Sequence, residues 1–150
     1  MQLIIQSHSF DPCEALSKYQ NNLRAGSYGA VVSFVGVMRD FNEDESVTAM
    51  TLEHYPGMTE KEIERICQEA LKQHPIDDLL VIHRVGDITP NEPIVLVAVW
   101  SAHRSAAFDS CREIINQLKQ RAPFWKREQG KQGSRWVSGN TQDPALTNPV

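Results

Sequence analysis

Two lysines, Lys119 and Lys126, flank a proline and two aromatic residues in the segment KQRAPFWKRE. A lysine amine acts as a nucleophile or a base in its neutral form, which burial and neighbouring cations favour. Residues 119–136 supply such cations, since they carry six basic side chains and one acidic one, Glu128, in a chain of formal net charge −4. A helix C-terminus at Lys119 works in the opposite direction, because it favours the charged amine. A local positive segment in an acidic protein indicates an anionic ligand at that place and not a general polyanion binder.

Three more basic residues lie where predicted strands end. Arg39 follows one predicted strand, and His103 and Arg104 lie between another strand and the helix after it. Arginine binds phosphate or carboxylate through two hydrogen bonds, and the first turn of a helix adds oriented N–H groups. A single residue of this kind is more often a solvated surface charge. Their shared placement at strand ends nevertheless favours an anion-binding set.

Metal, nucleotide and hydrolase chemistry find no support in the motifs. The chain has no Cys-x-x-Cys pair, no P-loop, no Gly-x-Gly-x-x-Gly and no Gly-x-Ser-x-Gly. Its five histidines lack the spacing of metal ligands; they are His8, His54, His74, His83 and His103. We therefore predict neither a metal site nor a cofactor. Three widely separated cysteines are typical of small buried residues in a reducing cytoplasm.

The aromatic residues near the lysines allow two interpretations. Phe124, Trp125 and Trp136 lie among basic residues, where aromatic rings can stack on a nucleic-acid base or a pterin-like ring. The same rings would equally serve as apolar anchors that fix the segment after Pro123. Both interpretations stay open on the sequence alone.

Length and composition indicate one domain. The chain has 150 residues, of which 41% are hydrophobic and 23% are charged, as is ordinary for a globular protein. We predict a single domain over residues 1–138 and a loose, polar, proline-containing tail over residues 139–150. No apolar run is long enough to cross a bilayer, and the N-terminus has no signal-peptide pattern.

The predicted order of elements is strand, helix, strand, strand, helix, strand, strand, helix, strand. This order indicates an α+β domain with three helices on a mostly antiparallel sheet. Residues 29–37 are rich in β-branched residues and predict a central strand, with a bulge at Gly36. We expect this strand to pair as a hairpin with residues 47–55, across a polar loop at residues 41–46.

The ends of the helices follow from capping residues and prolines. Asp11 is predicted to cap the first helix, and Thr59 the second. Pro123 ends the third helix, because proline lacks the N–H group that the helix needs. Phe124 and Trp125 are then expected to form a rigid aromatic knuckle between the two lysines.

Five phrases of the chain, taken together, resemble the large, catalytic subunit of molybdopterin synthase. They are FVGVMRD (34–40), TLEHYPGMTEK (51–61), VIHRVG (81–86), SAHRSAAF (101–108) and LKQRAPFWKRE (118–128). Any one phrase is weak, but their order and spacing are highly specific, and the likeness spans residues 29–137. It implies an α/β-hammerhead-like fold with a small extra β subdomain. The acidic segment 42–45 departs from the family pattern.

The resemblance implies a sulfurtransferase of molybdenum cofactor biosynthesis in the cytoplasm. Such an enzyme converts cyclic pyranopterin monophosphate into molybdopterin by installing two sulfur atoms as a dithiolene. The sulfur arrives as a thiocarboxylate on the C-terminal glycine of a small ubiquitin-like subunit, whose tail enters the large subunit. Two large subunits form a homodimer with one small subunit at each end, a heterotetramer. No nucleic acid and no membrane takes part.

Position by position, the resemblance also assigns roles to the basic residues. Lys119 would contact the partner's tail and activate the transfer, with a covalent link to the tail as one option. Lys126 would act beside it on substrate or intermediate. The substrate phosphate would be bound by Arg39, His103 and Arg104, with part of the pocket supplied by the second protomer. Three flanking residues would line the site, and they are Met38, Arg127 and Glu128.

Two other functions are compatible with the residues alone. A non-catalytic scaffold could capture a partner's carboxylate tail in the same basic pocket. Such binding would tolerate arginine at Lys119 and Lys126, whereas nucleophilic or proton-transfer chemistry would not. A binder of single-stranded nucleic acid would use Trp125 and the basic segment, but the overall acidity of the chain argues against it.

Overall fold

The computed structural model describes residues 1–137, which form three helices and nine strands. The helices are α1 (Pro12–Gln20), α2 (Met58–Gln73) and α3 (Arg104–Arg121). The strands are β1 (Gln2–Gln6), β2 (Ala30–Val37), β3 (Phe41–Asn42), β4 (Glu45–His54), β5 (Asp78–Arg84), β6 (Gly86–Ile88), β7 (Pro93–Ser101), β8 (Phe124–Gly130) and β9 (Gly133–Val137). The predicted tail at residues 139–150 lies outside the described residues.

The larger hydrophobic core is built on a four-stranded sheet in the order β1-β5-β7-β2. β1 and β5 run parallel, and the other pairs are antiparallel. Successive residues of a strand face opposite sides of its sheet, and both sides of this sheet are covered. α2 and α3 pack on one side and α1 on the other. β5 and β7 are therefore buried on both faces, as their nearly continuous apolar sequences predict.

A second sheet, of five strands, has the order β3-β4-β8-β9, and β6 also pairs with β4. A separate apolar cluster lies against it, formed by Met38, Val47, Met50, Leu52 and Ile88. The α+β class, the three helices and the small extra β region are thus confirmed.

The pairing predicted for the strand at residues 29–37 is wrong. β2 pairs with β7 and lies at the edge of the first sheet, while β4 pairs with β8 in the second. An alternating apolar pattern identifies a strand but does not name its partner, because every such strand offers the same backbone donors and acceptors. The bulge is confirmed, since the register of β2 against β7 shifts between Gly36 and Val37.

The polar loop predicted at residues 41–46 is instead a tight hairpin. β3 pairs with the start of β4, Phe41 opposite Ser46 and Asn42 opposite Glu45. The two turn residues between them have positive φ angles, 50° at Glu43 and 65° at Asp44. Two-residue hairpin turns require such angles and are normally signalled by Asn-Gly or Asp-Gly. Glu-Asp carries no such signal, so the hairpin is not visible in the sequence.

Two predictions need correction: Phe124 and Trp125 do not form a separate knuckle, and Gly57, not Thr59, is the N-cap of α2. α3 does end before Pro123, as predicted, but Phe124 and Trp125 then begin β8. α2 begins one residue before Thr59, and the Glu60 carboxylate accepts a hydrogen bond from the Gly57 N–H at 2.6 Å. The Thr59 hydroxyl donates to the Pro123 carbonyl at 3.2 Å. Thr59 therefore ties the start of α2 to the end of α3.

Gly29, just before β2, lies close to the backbone of Ala102, just before α3. This close contact predicts that a larger residue at position 29 destabilises the protein. A Cβ atom at residue 29 would lie 2.6 Å from the Ala102 carbonyl oxygen, a backbone atom with little freedom to move. We expect Gly29→Ala to lower the free energy of unfolding by about 1–3 kcal/mol through overpacking. Chemical denaturation would measure the loss. Ser33→Ala, at an exposed position of the same strand, is the control and should stay within about 0.5 kcal/mol of wild type. Equal stability of the two variants would contradict the prediction.

Candidate active site

A pocket of about 620 Å³ lies where the two sheets meet the C-terminal half of α3. Its floor is apolar and comes from both sheets and from α3. The floor residues include Phe34, Met50, Val95, Ile115, Leu118 and Phe124. Its polar lining comes from the strand exit after β2, the last turn of α3, and β8. The pocket therefore combines apolar and charged lining residues, as small-molecule sites commonly do.

Lys119 and Lys126 both line this pocket. Lys119 is exposed in the last turn of α3, and Lys126 is half-buried on β8. The chain reverses between them at Pro123, so two residues on different kinds of element face the same space. The sequence-based expectation that these lysines share a site is consistent with this geometry.

Alternation along β8 separates the neighbours of Lys126. Phe124, Lys126 and Glu128 line the pocket, whereas Trp125 and Arg127 belong to the opposite face of the strand. The Arg127 guanidinium lies over the Trp136 ring, 5.5 Å from its centroid. Arg127 is therefore not brought into this pocket.

Glu128 is the buried anion of the site. Its carboxylate accepts hydrogen bonds from Asn42 Nδ2 at 3.0 and 3.1 Å, and its Oε1 lies 3.0 Å from Lys126 Nζ. The Arg135 guanidinium is 3.8 Å away. Burial raises the pKa of this carboxyl, but the hydrogen bonds from Lys126 and Asn42, together with the two positive charges, outweigh burial and hold the pKa below its usual value. Glu128 is therefore ionised at neutral pH.

The predicted anion-binding residues fall into two groups. Met38 and Arg39 line the pocket, and the Arg39 guanidinium lies 4.9 Å from the centroid of the Phe41 ring. His103 and Arg104 are exposed at the start of α3. Lys119 follows Arg104 by 15 residues along α3, a distance of about 22 Å at 1.5 Å per residue. Within one chain, these two residues do not reach the pocket.

His83, which no motif in the sequence singles out, also lines the pocket. Its ring stacks on Phe124, with centroids 4.0 Å apart and an interplanar angle of 12°. Nδ1 donates to the Arg84 carbonyl at 2.7 Å, which fixes the tautomer because a carbonyl only accepts. Burial, and to a smaller extent the nearby His54, lower the pKa of His83 to about 4. The hydrogen bond to the Arg84 carbonyl opposes this by raising the pKa. One feature of the sequence could have indicated that His83 is buried. Side chains alternate along β5, so His83 lies on the same face of the strand as Val81, which is buried.

Arg121 anchors the helix end that carries Lys119. Its Nε donates to Glu62 Oε1 at 2.7 Å, and its Nη1 donates to Glu69 Oε2 at 2.6 Å. Both carboxylates belong to α2. The positive charge of Arg121 is thus neutralised by two carboxylates of α2. The same contacts hold the last turn of α3 against α2.

Residues 1–137 contain no group of three or more histidine, cysteine or acidic side chains arranged to hold a metal ion. Their three cysteines are free. Cys67 and Cys111 are buried, as expected, but the expectation of burial is wrong for Cys13, which is exposed. None of the helices in this range is long and apolar enough to span a membrane.

The fold and the pocket define an α+β protein in which two lysines line one pocket between the sheets. The model of the family described as "MoaE protein" matches residues 5–121, and the chain belongs to that family. A relative from Pseudomonas aeruginosa, named molybdopterin synthase catalytic subunit, is 48% identical over 147 residues and covers 97% of this chain and 95% of its own.

Solved structures share the architecture. The molybdopterin biosynthesis MoaE protein from Burkholderia ambifaria superposes with a TM-score of 0.79 at 41% identity, covering 97% of this chain and 94% of its own. A crystal structure of molybdopterin synthase from Staphylococcus aureus gives a TM-score of 0.82 at 28% identity, with 92% and 98% coverage.

The buried, neutral His83 predicts how stability depends on pH. Its pKa of about 4 in the folded state lies below the value of about 6.5 in an unfolded chain. The unfolded state therefore binds the proton more readily than the folded state. The free energy of unfolding keeps its full His83 contribution above about pH 6.5, and it falls by up to about 3 kcal/mol as the pH drops towards 4. His83→Gln should remove this part of the pH dependence.

Chemical denaturation of wild type and His83→Gln between pH 4 and 7.5 would measure it. The stability difference between the two proteins should shrink or reverse towards low pH. The exposed His8 provides the control, since His8→Gln should leave the wild-type pH profile unchanged. A constant difference between wild type and His83→Gln across this range would refute the prediction.

Proposed function

We propose that this protein is the catalytic subunit of a molybdopterin synthase. It transfers sulfur from the C-terminal thiocarboxylate of a small ubiquitin-like subunit to cyclic pyranopterin monophosphate, forming the dithiolene of molybdopterin. The observation that carries the proposal is the convergence of Lys119 and Lys126 on one pocket, in a chain 48% identical to a relative that bears this name. In each transfer the C–S bond of the glycyl thiocarboxylate breaks, and water supplies the oxygen that leaves an ordinary carboxylate on the partner's terminal glycine.

The two lysines have different surroundings, which supports different roles. Lys119 is exposed and accessible to a tail that enters from solvent, where its amine would stabilise the thiocarboxylate or form a covalent link with it. Lys126 is half-buried and pairs with Glu128, so its ammonium group is held beside the bound pterin. In this proposal Met38 and Glu128 form the pocket wall, and Arg127 supports β8 from the outer face.

Arg39 would bind the phosphate of the substrate, together with His103 and Arg104 from a second protomer. β2 is an edge strand with exposed valines, which makes it a suitable surface for a second copy of the chain. The start of β2 pairs with Ser101, close to the start of α3, and its other end leads to Arg39. Two β2 strands in antiparallel contact would therefore bring His103 and Arg104 of one protomer towards the pocket of the other.

We further propose that the protein works in the cytoplasm. Free, buried thiols at Cys67 and Cys111 support this, because such thiols are typical of reducing compartments.

The lysine roles predict the outcome of two conservative substitutions. Lys119→Arg and Lys126→Arg keep the positive charge but not a small amine that can lose its proton. We expect each to reduce single-turnover conversion of cyclic pyranopterin monophosphate by the thiocarboxylated partner by about 100-fold or more. Rapid quench with chromatographic detection of molybdopterin would measure the rate, and calorimetry would show that the partner still binds. Lys72→Arg, exposed on α2, is the matched control.

Wild-type rates in both variants would remove the lysines from the chemistry. Tight binding of the partner without any product from the wild-type protein would instead indicate a scaffold that captures the tail.

The proposed dimer predicts the effect of a charge at the β2 edge. Val35 is 39% exposed, and a carboxylate there would lie in the contact between two copies. We expect Val35→Glu to convert the dimer to a monomer in light scattering and to abolish turnover, because His103 and Arg104 would no longer reach the pocket. Met58→Glu, at a more exposed apolar residue of α2, should remain dimeric and active. A dimeric and active Val35→Glu protein would place the interface elsewhere.

A further inference from the structure

The short β3–β4 hairpin delivers one side chain into the pocket. Asn42 is only 5% exposed and lines the same pocket as Lys119 and Lys126. Its Nδ2 donates to both oxygens of Glu128, at 3.0 and 3.1 Å. The two residues are 86 positions apart in the chain, so this contact is created by the tertiary fold.

The contact fixes the orientation of the Glu128 carboxylate. Lys126 Nζ lies 3.0 Å from Oε1 and Arg135 lies 3.8 Å from Oε2. These cations are on flexible side chains, whereas Asn42 bridges both oxygens from a buried position. Rotation of the carboxylate would break a hydrogen bond to the buried Asn42 amide, and leaving a buried donor unpaired is costly. The Lys126 ammonium is thereby held at one place in the pocket.

The turn of this hairpin is strained, and charged contacts with β9 hold it in place. Glu43 and Asp44 adopt positive φ angles, which aspartate tolerates but which strain the longer glutamate side chain at residue 43. Such strain persists only where surrounding contacts impose it. Arg135 supplies one such contact, since it lies 3.9 Å from Glu43 and 3.5 Å from Glu45.

We infer that Asn42 is a positioning residue for the sulfur transfer proposed above, acting through Glu128 to hold the Lys126 amine in its working position. The inference rests on that proposed function. Asn42 touches neither the partner's tail nor the substrate in this role, and its effect is exerted through two side chains on β8, Glu128 and Lys126.

Asn42→Asp tests the inference with almost no change of shape. It replaces a hydrogen-bond donor by a carboxylate that faces the carboxylate of Glu128. Two adjacent buried carboxylates cannot both ionise easily, so the pair takes up a proton at a higher pH than either would alone. The charged groups that face Glu128 are Lys126 on β8 and Arg135 on β9, and Lys119 and Arg39 line the same pocket. Because Lys126 and Arg135 favour the anion on Glu128, the shared proton resides on Asp at position 42.

A protonated aspartic acid there donates to Glu128 as the native amide does. We therefore expect the single-turnover rate of Asn42→Asp to be about 10- to 100-fold below wild type at pH 8. The deficit should shrink as the pH falls towards 5.5. Asn42→Ala removes the donor without adding a titratable group, so its deficit should be independent of pH. Asn91→Asp, an exposed position with a positive φ angle that aspartate tolerates, should match wild type at every pH.

A low-pH recovery confined to Asn42→Asp would support the inference. Wild-type rates in both Asn42 variants would overturn it. So would a rate deficit in Asn42→Asp that stays the same at every pH, because a purely structural defect would not depend on the protonation of the new carboxyl group. The Glu128 carboxyl can also be followed directly by carbon NMR, where loss of the Asn42 donor should raise its pKa in Asn42→Ala. An unchanged Glu128 titration would overturn the inference even if Asn42→Asp does not fold. Failure of the wild-type protein to form molybdopterin would count against the proposed function alone, since the NMR titration needs no substrate.

Discussion

The site depends on the chain reversal at Pro123. Up to that residue the chain belongs to α3, which packs on the first sheet, and immediately after it the chain enters β8 of the second sheet. The reversal joins the two halves of the protein and leaves the pocket between them. Thr59 holds it through the Pro123 carbonyl, and Arg121 clamps the helix end to α2. Without this junction Lys119 and Lys126 would lie on separate units with no common ligand.

Charge in the pocket is more balanced than the composition of residues 119–136 indicates. Three of the six basic side chains in that segment have acidic partners in the fold, namely Arg121 with Glu62 and Glu69, Lys126 with Glu128, and Arg135 with Glu43, Glu45 and Glu128. The pairing confines the positive character of the rim, where Lys119 and Arg39 are exposed. A confined positive rim above an apolar floor favours one small anionic ligand over an extended polyanion.

Much of the fold is predictable from the sequence, because the signals involved are local. Asp11 caps α1 through hydrogen bonds to two backbone N–H groups, and Pro123 ends α3. The apolar runs of β5 and β7 identify buried strands. The strand pairing was mispredicted, since β4 bonds to β8, which follows it by some seventy residues, and not to β2. The β3–β4 hairpin was missed because its turn lacks the usual residues.

For the site, the sequence by itself determined that lysines, arginines and a carboxylate gather near element ends, and its phrases identified the family. These conclusions follow from residue type and spacing, which are properties of the chain alone. Only the tertiary structure decided which side chains meet. It turned Arg127 outward by strand alternation, placed His103 and Arg104 at the far end of α3, and buried His83 and Asn42 in the pocket wall. Such choices depend on contacts between residues distant in the chain, and no local preference encodes them.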